Sequence, residues 1–245
     1  MITKDDIRNL ARSEQFIPGI YNYCNGWCSR CEFTSRCLSH ATDQFDTSDP
    51  KTKDEPVMEH VMRMFAITGE MIEDEARARA IDLSDLETEG WPKQDVESLL
   101  AKQSFAYFRS TVDWFDHRKS MIGSYEAENS VSPTLRLVGT VGNDSNKIRL
   151  AMEAVSRLSS LIHPKIVRAL WRPLESSDAT FDSNGSAKCA LVAIDQSIDA
   201  WKDIDETIGE CANFISTLER IKNLLEQTLP DAWQPARPGI DKQRT

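Results

Sequence analysis

The sequence predicts an all-α protein, a bundle of four to six helices preceded by a small cysteine-rich metal-binding segment. Three observations support this prediction. Apolar residues recur at steps of three and four in five stretches, one short run alone resembles a β-strand, and four of the six cysteines fall within residues 24–37. The expected division is a metal-binding segment at 1–45, a bundle at 55–230 and an irregular tail at 231–245.

Composition limits the class of protein and its partners. The 245 residues are enough to bury a core without disulfides. With 29 basic and 39 acidic residues, the formal charge of −10 makes nucleic acid an unfavourable partner. The sequence has no signal-peptide pattern and no apolar run of about eighteen residues, so we expect a cytoplasmic protein that does not enter a membrane. An unknown protein partner remains open.

The first two long helices follow from apolar periodicity. Pro56 is expected in the first turn of a helix that ends within the charged segment 73–90. Its apolar positions are Val57, Val61, Met64, Phe65, Thr68, Met71 and Ile72, and the methionines Met58, Met62, Met64 and Met71 are interpreted as core. Pro92 is expected to open a second helix that runs to about residue 122. Its stripe is Val96, Leu100, Tyr107, Phe108, Val112, Phe115 and Ile122.

The middle of the chain predicts a third helix. Thr134–Val138 is the β-like run, and a single strand makes no sheet. Asp144 or Ser145 is expected to cap the helix, because short polar side chains accept hydrogen bonds from its first N–H groups. Pro164 is expected to break or kink this helix near His163.

The C-terminal part predicts a loop followed by more helix. Residues 175–188 are rich in Ser and Asp, contain Asn184 and Gly185, and are predicted to form the loop. Residues 191–229 keep a helical period and predict two helices or one bent helix. Cys189 and Cys211 fall on apolar faces of this part and are interpreted as core.

The four clustered cysteines predict a metal centre. Cys24, Cys28, Cys31 and Cys37 have the spacing C-x3-C-x2-C-x5-C, and reduced thiolates in this number suit a zinc ion or an iron–sulfur cluster. Zinc ribbons usually separate two close pairs by a dozen or more residues, so these short gaps favour a 4Fe–4S cluster. Zinc remains the alternative, with Cys28, Cys31, Cys37 and His40 as ligands and Cys24 surplus.

The same residues carry three resemblances. "CSRCEFTSRC" at 28–37 resembles the C-x2-C-x5-C terminus of iron–sulfur nucleases of the AddB and CRISPR-associated type, which implies a cluster whose remaining ligand here would be Cys24. The likeness covers ten residues and does not extend to the nuclease core. Residues 24–31 also match the radical SAM triad, but the strand-containing barrel of that family is not predicted. The pattern YC-x3-C-x2-C-x-F-x3-C resembles an N-terminal module of uncharacterised bacterial proteins, which implies a family without an activity.

Residues between the cysteines have plain physical uses. Tyr23, Trp27 and Phe33 are expected to dock the cysteine segment and keep water from the sulfurs. Arg30 and Arg36 are expected either to offset the charge of four thiolates or to face solvent.

His163 and Asp195 form a candidate second site. His163 precedes a proline, where it would act as a ligand, an acid–base group or a helix cap. Asp195 borders a buried stripe, where an unpaired carboxylate is costly, so a salt bridge to Arg168 or Arg172 is expected.

Three functions follow from these patterns. The first is a metal-binding helical protein whose iron–sulfur cluster has a structural, redox or sensing role. The alternative is a zinc-stapled protein-interaction module whose acidic helices contact a basic partner. The second alternative is an enzyme with a pocket between bundle helices, where His163 and Asp195 are the candidate residues.

Overall fold

A computed structural model of the chain describes residues 1–52, 55–83, 98–122, 145–171 and 177–241. Every regular element in these ranges is helical, which confirms the predicted all-α class and helical bundle. The described α-helices are α1 (Lys4–Ala11), α2 (Leu38–Thr47), α3 (Val57–Ala78), α4 (Leu99–Ile122), α5 (Ser145–Leu170), α6 (Ser177–Ile208) and α7 (Ala212–Thr228).

The chain divides into two compact units. Unit 1 comprises Met1–Trp91 and Arg237–Thr245, and unit 2 comprises Pro92–Ala236. This division differs from the expected boundaries at 1–45, 55–230 and 231–245. The helix α3 belongs with the cysteine segment because its ion pairs reach α1 and α2, and the last residues of the chain also belong there.

Unit 2 is built on an antiparallel pair, α5 and α6. Near their connection Ser183 donates a hydrogen bond to the carbonyl of Ala169, and at the far end Lys147 lies 3.0 Å from Asp203. The helices α4 and α7 pack on this pair and complete the bundle. The largest fully buried aliphatic side chains of this core are Met152, Leu158, Ile162, Ile166, Leu191, Ile194, Ile204 and Leu218.

Aromatic side chains join α4, α6 and α7 at the centre of unit 2. The ring of Phe214 stacks on fully buried Trp201 with centroids 4.2 Å apart, and Trp114 meets Trp201 edge-on at 5.0 Å. The indole N–H of Trp201 donates a hydrogen bond of 3.0 Å to the hydroxyl of Tyr107. The predicted aromatic stripe of α4 therefore supplies part of the core, with the polar atom of Trp201 satisfied inside it.

Pro164 does not break the third long helix, which excludes one of the two predicted outcomes, a break or a kink. The helix α5 continues through it to Leu170. Pro164 and Ser160 are both exposed, so the carbonyl of Ser160 that loses its N–H partner lies where water can replace that partner.

The predicted loop at 175–188 is also wrong, because α6 already begins at Ser177. Ser183, Ser186 and Ala187 are buried, and these small side chains let α6 approach α5 closely. The helix ends where Gly209 and Glu210 have positive φ values of 72° and 66°. The C-terminal stretch is therefore two helices, one of the two predicted forms.

The helix α3 exposes residues that the sequence assigns to the core. Val61, Phe65 and Ile72 of the predicted face are exposed, as are Met58 and Met62, whereas Met64 and Met71 are partly buried. The side of α3 that contacts α1 and α2 instead carries Arg63 and Asp74.

Some predictions fall outside the described residues, namely those for Pro92, Thr134–Val138, Asp144 and Arg172. Among the helices that are described, none has the length and apolar character needed to cross a bilayer.

Candidate metal centre

Short turns bring the four cysteines to one place in unit 1. Between α1 and α2 the chain forms three 3-10 turns, Ile20–Asn22, Cys28–Arg30 and Thr34–Arg36. Cys31 directly follows the second turn, and Cys37 follows the third and is the N-cap of α2. The second and third turns lie between successive cysteines and shorten the chain there, so these residues can face a common space.

That common space is a pocket at the surface, with about 350 Å³ of empty volume that includes open solvent. Its lining consists of Ile20, Tyr21, Cys24, Asn25, Trp27, Cys28, Cys31, Phe33, Thr34, Cys37, His40 and Ile240. All four predicted cysteines therefore meet there, together with His40 of the zinc alternative. Cys28 is exposed and the other three are partly buried. Their role as metal ligands stays a prediction.

Two backbone N–H groups point at cysteine sulfurs. Gly26 donates to Sγ of Cys24 and Phe33 donates to Sγ of Cys31, both at 3.4 Å and both from two residues further along the chain. Gly26 has a φ of 69°, a left-handed conformation that glycine adopts without a steric penalty. Donors in this position stabilise negative charge on sulfur, as in metal-bound thiolates.

The four cysteine sulfurs do not have the close spacing of ligands already gathered around one ion. In a tetrahedral zinc site with Zn–S bonds of about 2.3 Å, the sulfurs lie about 3.8 Å apart. In the described part of the chain, Asp46, Glu55 and His60 form the one group of three or more ligand atoms that all lie within 4.8 Å of one another. No three of the four cysteine sulfurs are that close.

Apolar packing fixes the cysteine segment in unit 1. Ile20 and Tyr23 are buried, and Trp27 and Phe33 line the pocket, as expected for aromatic residues that dock this segment. The guanidinium of Arg30 lies 4.3 Å from the ring centroid of Trp27 and places a positive charge beside the pocket.

The C-terminal residues of unit 1 complete the pocket, a contribution without a signal in the sequence. Ile240 lines it, and Gly239 packs against Ile17 so closely that an added Cβ would lie 2.5 Å from Cδ1 of Ile17. Gly239 also has a positive φ of 71°. The positive φ favours glycine at this position, and a larger residue would also require the side chain of Ile17 to shift.

The group of Asp46, Glu55 and His60 was not found from the sequence, because its members lie on separate elements. The Nη2 atom of Arg63 lies 2.5 Å from Asp46 Oδ2, 2.6 Å from Glu55 Oε2 and 3.1 Å from His60 Nδ1. A metal ion at the centre of the group would have to displace this guanidinium. The arrangement is therefore an ion-pair network that joins α2 to α3.

The network keeps its carboxyl groups ionised. Burial raises the pKa of Asp46, but hydrogen bonds from Arg63 and from the backbone N–H of Ile2 outweigh burial and hold that pKa below its ordinary value. The hydrogen bond from Arg63 also lowers the pKa of Glu55, and the two carboxylates raise the pKa of Arg63. Charged partners on both sides make the contact stronger than a neutral hydrogen bond.

The structure does not bring His163 and Asp195 together. In the antiparallel pair α5 and α6, Lys147 lies at the same height as Asp203. Counting from this pair at a rise of 1.5 Å per residue, His163 and Asp195 lie about 12 Å apart along the helix axes. Each also has its own partner. His163 Nδ1 lies 2.9 Å from the hydroxyl of Ser104, and Asp195 Oδ1 lies 2.6 Å from Nζ of Lys222.

These partners explain the two side chains structurally. Burial lowers the pKa of His163, which favours a neutral ring bonded to the buried Ser104 hydroxyl. The hydrogen bond to Asp195 raises the pKa of Lys222. The partner of Asp195 is thus a lysine of α7, which the sequence analysis did not anticipate.

Comparisons with protein-family models, curated proteins and solved structures return no match. The likeness to iron–sulfur nucleases and to the bacterial module therefore rests on the cysteine segment alone.

Proposed function

We propose that Cys24, Cys28, Cys31 and Cys37 bind a 4Fe–4S cluster and that the protein acts as a redox or sensing protein through it. The observation that carries this proposal is the common pocket lined by all four cysteines, and the short gaps between them in the sequence favour a cluster over a zinc ribbon. Four thiolates form a complete ligand set for such a cluster.

Neighbouring groups support a negatively charged centre. The N–H groups of Gly26 and Phe33 would stabilise the thiolates of Cys24 and Cys31, and Arg30 adds a positive charge nearby. A bound cluster would supply one-electron redox chemistry, with a potential that depends on these hydrogen bonds and on solvent exposure.

The exposed Cys28 favours a redox or sensing role over a purely structural one. Three ligands are partly buried, whereas Cys28 faces solvent, so the edge of the cluster beside it would be open to an electron-transfer partner or an oxidant. A metal that only supports a fold needs no such opening. Unit 2 moreover has a core of its own that does not include the cysteine segment.

Serine substitutions test the ligand set. After anaerobic purification, Cys24→Ser, Cys28→Ser, Cys31→Ser and Cys37→Ser should each lose most of the iron and acid-labile sulfide. The matched control is Cys211→Ser, since Cys211 is buried in unit 2 and a serine keeps a donor for the carbonyl of Gly209. Iron retained in all four variants would contradict the proposal.

Zinc is the second candidate, because His40 also lines the pocket. In that case His40→Ala would release the metal and Cys24→Ser would keep it. The 4Fe–4S proposal expects the reverse for both variants. A protein-interaction role for the stapled segment would follow from the zinc outcome. The enzyme alternative has no support from His163 and Asp195, which lie apart and are each paired elsewhere.

A further inference from the structure

One side of α3 presents five exposed apolar residues, here named the outer stripe. Its residues are Met58, Val61, Met62, Phe65 and Ile72. Met58 and Phe65 are 70% and 69% exposed. Positions 58, 65 and 72 repeat every seven residues, with 61 and 62 between the first two, so they share one side of the helix. The exposed side-chain area is on the order of 500 Å², the size of the largest patches on monomeric proteins, which are often functional.

The opposite side of α3 holds the helix in unit 1 through ion pairs. Arg63 binds Asp46, and Asp74 lies 2.9 Å from both Lys4 and Arg8. Asp74 is nine residues after Phe65, half a rotation around the helix at 100° per residue. Surface helices usually turn their apolar side inward, whereas α3 is anchored by its charged side and leaves its apolar side outward.

The charges around the outer stripe select the kind of partner. The helix α3 contains five acidic and two basic residues, 2 − 5 = −3. Glu59 and Glu73 are exposed along one border of the stripe. The basic residues are occupied, since Arg63 lies in the network with Asp46 and Arg77 lies 3.1 Å from Asp74. A second copy of α3 would bring like charges together, whereas a basic partner complements this border.

We propose that the outer stripe docks a basic amphipathic helix of a partner protein. Apolar side chains of the partner, spaced at i, i+3 or i+4, and i+7, would pack on Met58, Met62 and Phe65. Lysines or arginines beside them would pair with Glu59 and Glu73. Flexible methionines adapt to different apolar side chains, so the surface accepts a class of helices rather than one sequence. The proposal does not depend on which metal the cysteines bind.

Three synthetic peptides test the proposal on the full-length protein. The first is a labelled amphipathic helix of Leu and Lys, the second replaces each Lys by Glu, and the third replaces each Leu by Ser. Fluorescence anisotropy should show saturable binding of the Leu/Lys peptide, at least roughly tenfold tighter than either other peptide. Its affinity should fall as salt is added, because exposed charges are screened. Absence of saturable binding overturns the proposal.

Matched variants locate the binding surface. Phe65→Ser and Met62→Ser should each weaken the Leu/Lys peptide roughly tenfold, as expected for central contacts. Glu59→Gln combined with Glu73→Gln should weaken it less and reduce its salt dependence. Phe45→Ser is the control, since Phe45 is an exposed phenylalanine of unit 1 on α2, outside the stripe. Equal losses in Phe45→Ser and Phe65→Ser, or a wild-type dimer that Phe65→Ser dissociates, would contradict the proposed occupant.

Discussion

The backbone N–H of Gly26 lies 3.4 Å from the sulfur of Cys24, across a turn that has a positive φ at the glycine. The donor and the turn together orient this sulfur relative to the three cysteines that follow. Cys24 is the residue on which the two hypotheses differ, because the cluster proposal includes it in the ligand set and the zinc alternative does not.

Loss of a cysteine ligand should affect the two units differently. If the cysteines bind a cluster as proposed, Cys28→Ser should loosen the turns of the cysteine segment, because the variant loses the metal that adds to the apolar packing there. The core of unit 2 should remain folded, since its buried side chains pack against one another. Hydrogen exchange resolved by peptide should show faster exchange in residues 21–37 and unchanged exchange in α5 and α6. Global unfolding of the variant would show that the cysteine segment is integral to the whole core.

Gly239→Ala should weaken unit 1 through the contact with Ile17. The added Cβ would lie 2.5 Å from Cδ1 of Ile17 on a backbone with φ of 71°, so we expect a loss of roughly 2–3 kcal/mol and faster iron release to a chelator. Gly209→Ala is the control, because Gly209 has a φ of 72° with no neighbouring atom within 4 Å and belongs to unit 2. Equal iron release in the two variants would contradict this role of Gly239.

Unit 1 should lose stability in acid. The pKa of Asp74 is lowered to about 2 by hydrogen bonds from Lys4 and Arg8, and the pKa values of Asp46 and Glu55 are also lowered. A carboxyl group whose pKa is lowered by folding stabilises the fold above its unfolded pKa, near 4, and this stabilisation is lost as the pH falls toward 2. The protection factors of amides in α2 and α3, which correct for the intrinsic pH dependence of exchange, should therefore fall between about pH 4 and pH 2.

Asp46→Asn isolates the contribution of the ion-pair network. At neutral pH this variant should destabilise unit 1 by roughly 2–4 kcal/mol, because Arg63 loses a nearly buried anionic partner. The difference from wild type should shrink as acid protonates Asp46 in the wild-type protein. A difference that stays constant down to pH 2 would contradict the assignment of the lowered pKa to this contact.

Tyr107→Phe should destabilise unit 2 without changing its shape. The substitution leaves the indole N–H of fully buried Trp201 without the hydroxyl that now accepts its hydrogen bond. An unsatisfied buried donor costs about 1–3 kcal/mol, which denaturant unfolding should detect. Tyr21→Phe is the control, since Tyr21 is an exposed residue of unit 1 and should change the unfolding of unit 2 negligibly.

The helices of the bundle could be predicted because their apolar period coincides with burial. Trp201 and Tyr107 lie on such stripes and are buried. In α3 the same kind of apolar period predicts a buried side that the structure exposes. Periodicity identifies an apolar side but not its orientation, and here Arg63 and Asp74 find partners far away in the sequence. The helix continues through Pro164 because the proline lies on its exposed side, where a missing backbone hydrogen bond is tolerated.

Only the part of the candidate site that lies within one short segment of the sequence could be predicted. The spacing of the cysteines and the glycine between the first two are visible in fourteen residues of sequence. The contributions of Gly239 and Ile240 come from the other end of the chain, and no local pattern marks them. Long-range packing of this kind depends on the whole fold.

The most direct test of the cluster is the metal and sulfide content of the wild-type protein purified without oxygen, combined with Mössbauer spectroscopy of iron-57-labelled protein. The proposal predicts four irons and four acid-labile sulfides per chain, with the Mössbauer signature of a 4Fe–4S cluster bound by four thiolates. One zinc per chain without sulfide, or no bound metal after anaerobic purification and reconstitution with iron and sulfide, would contradict it.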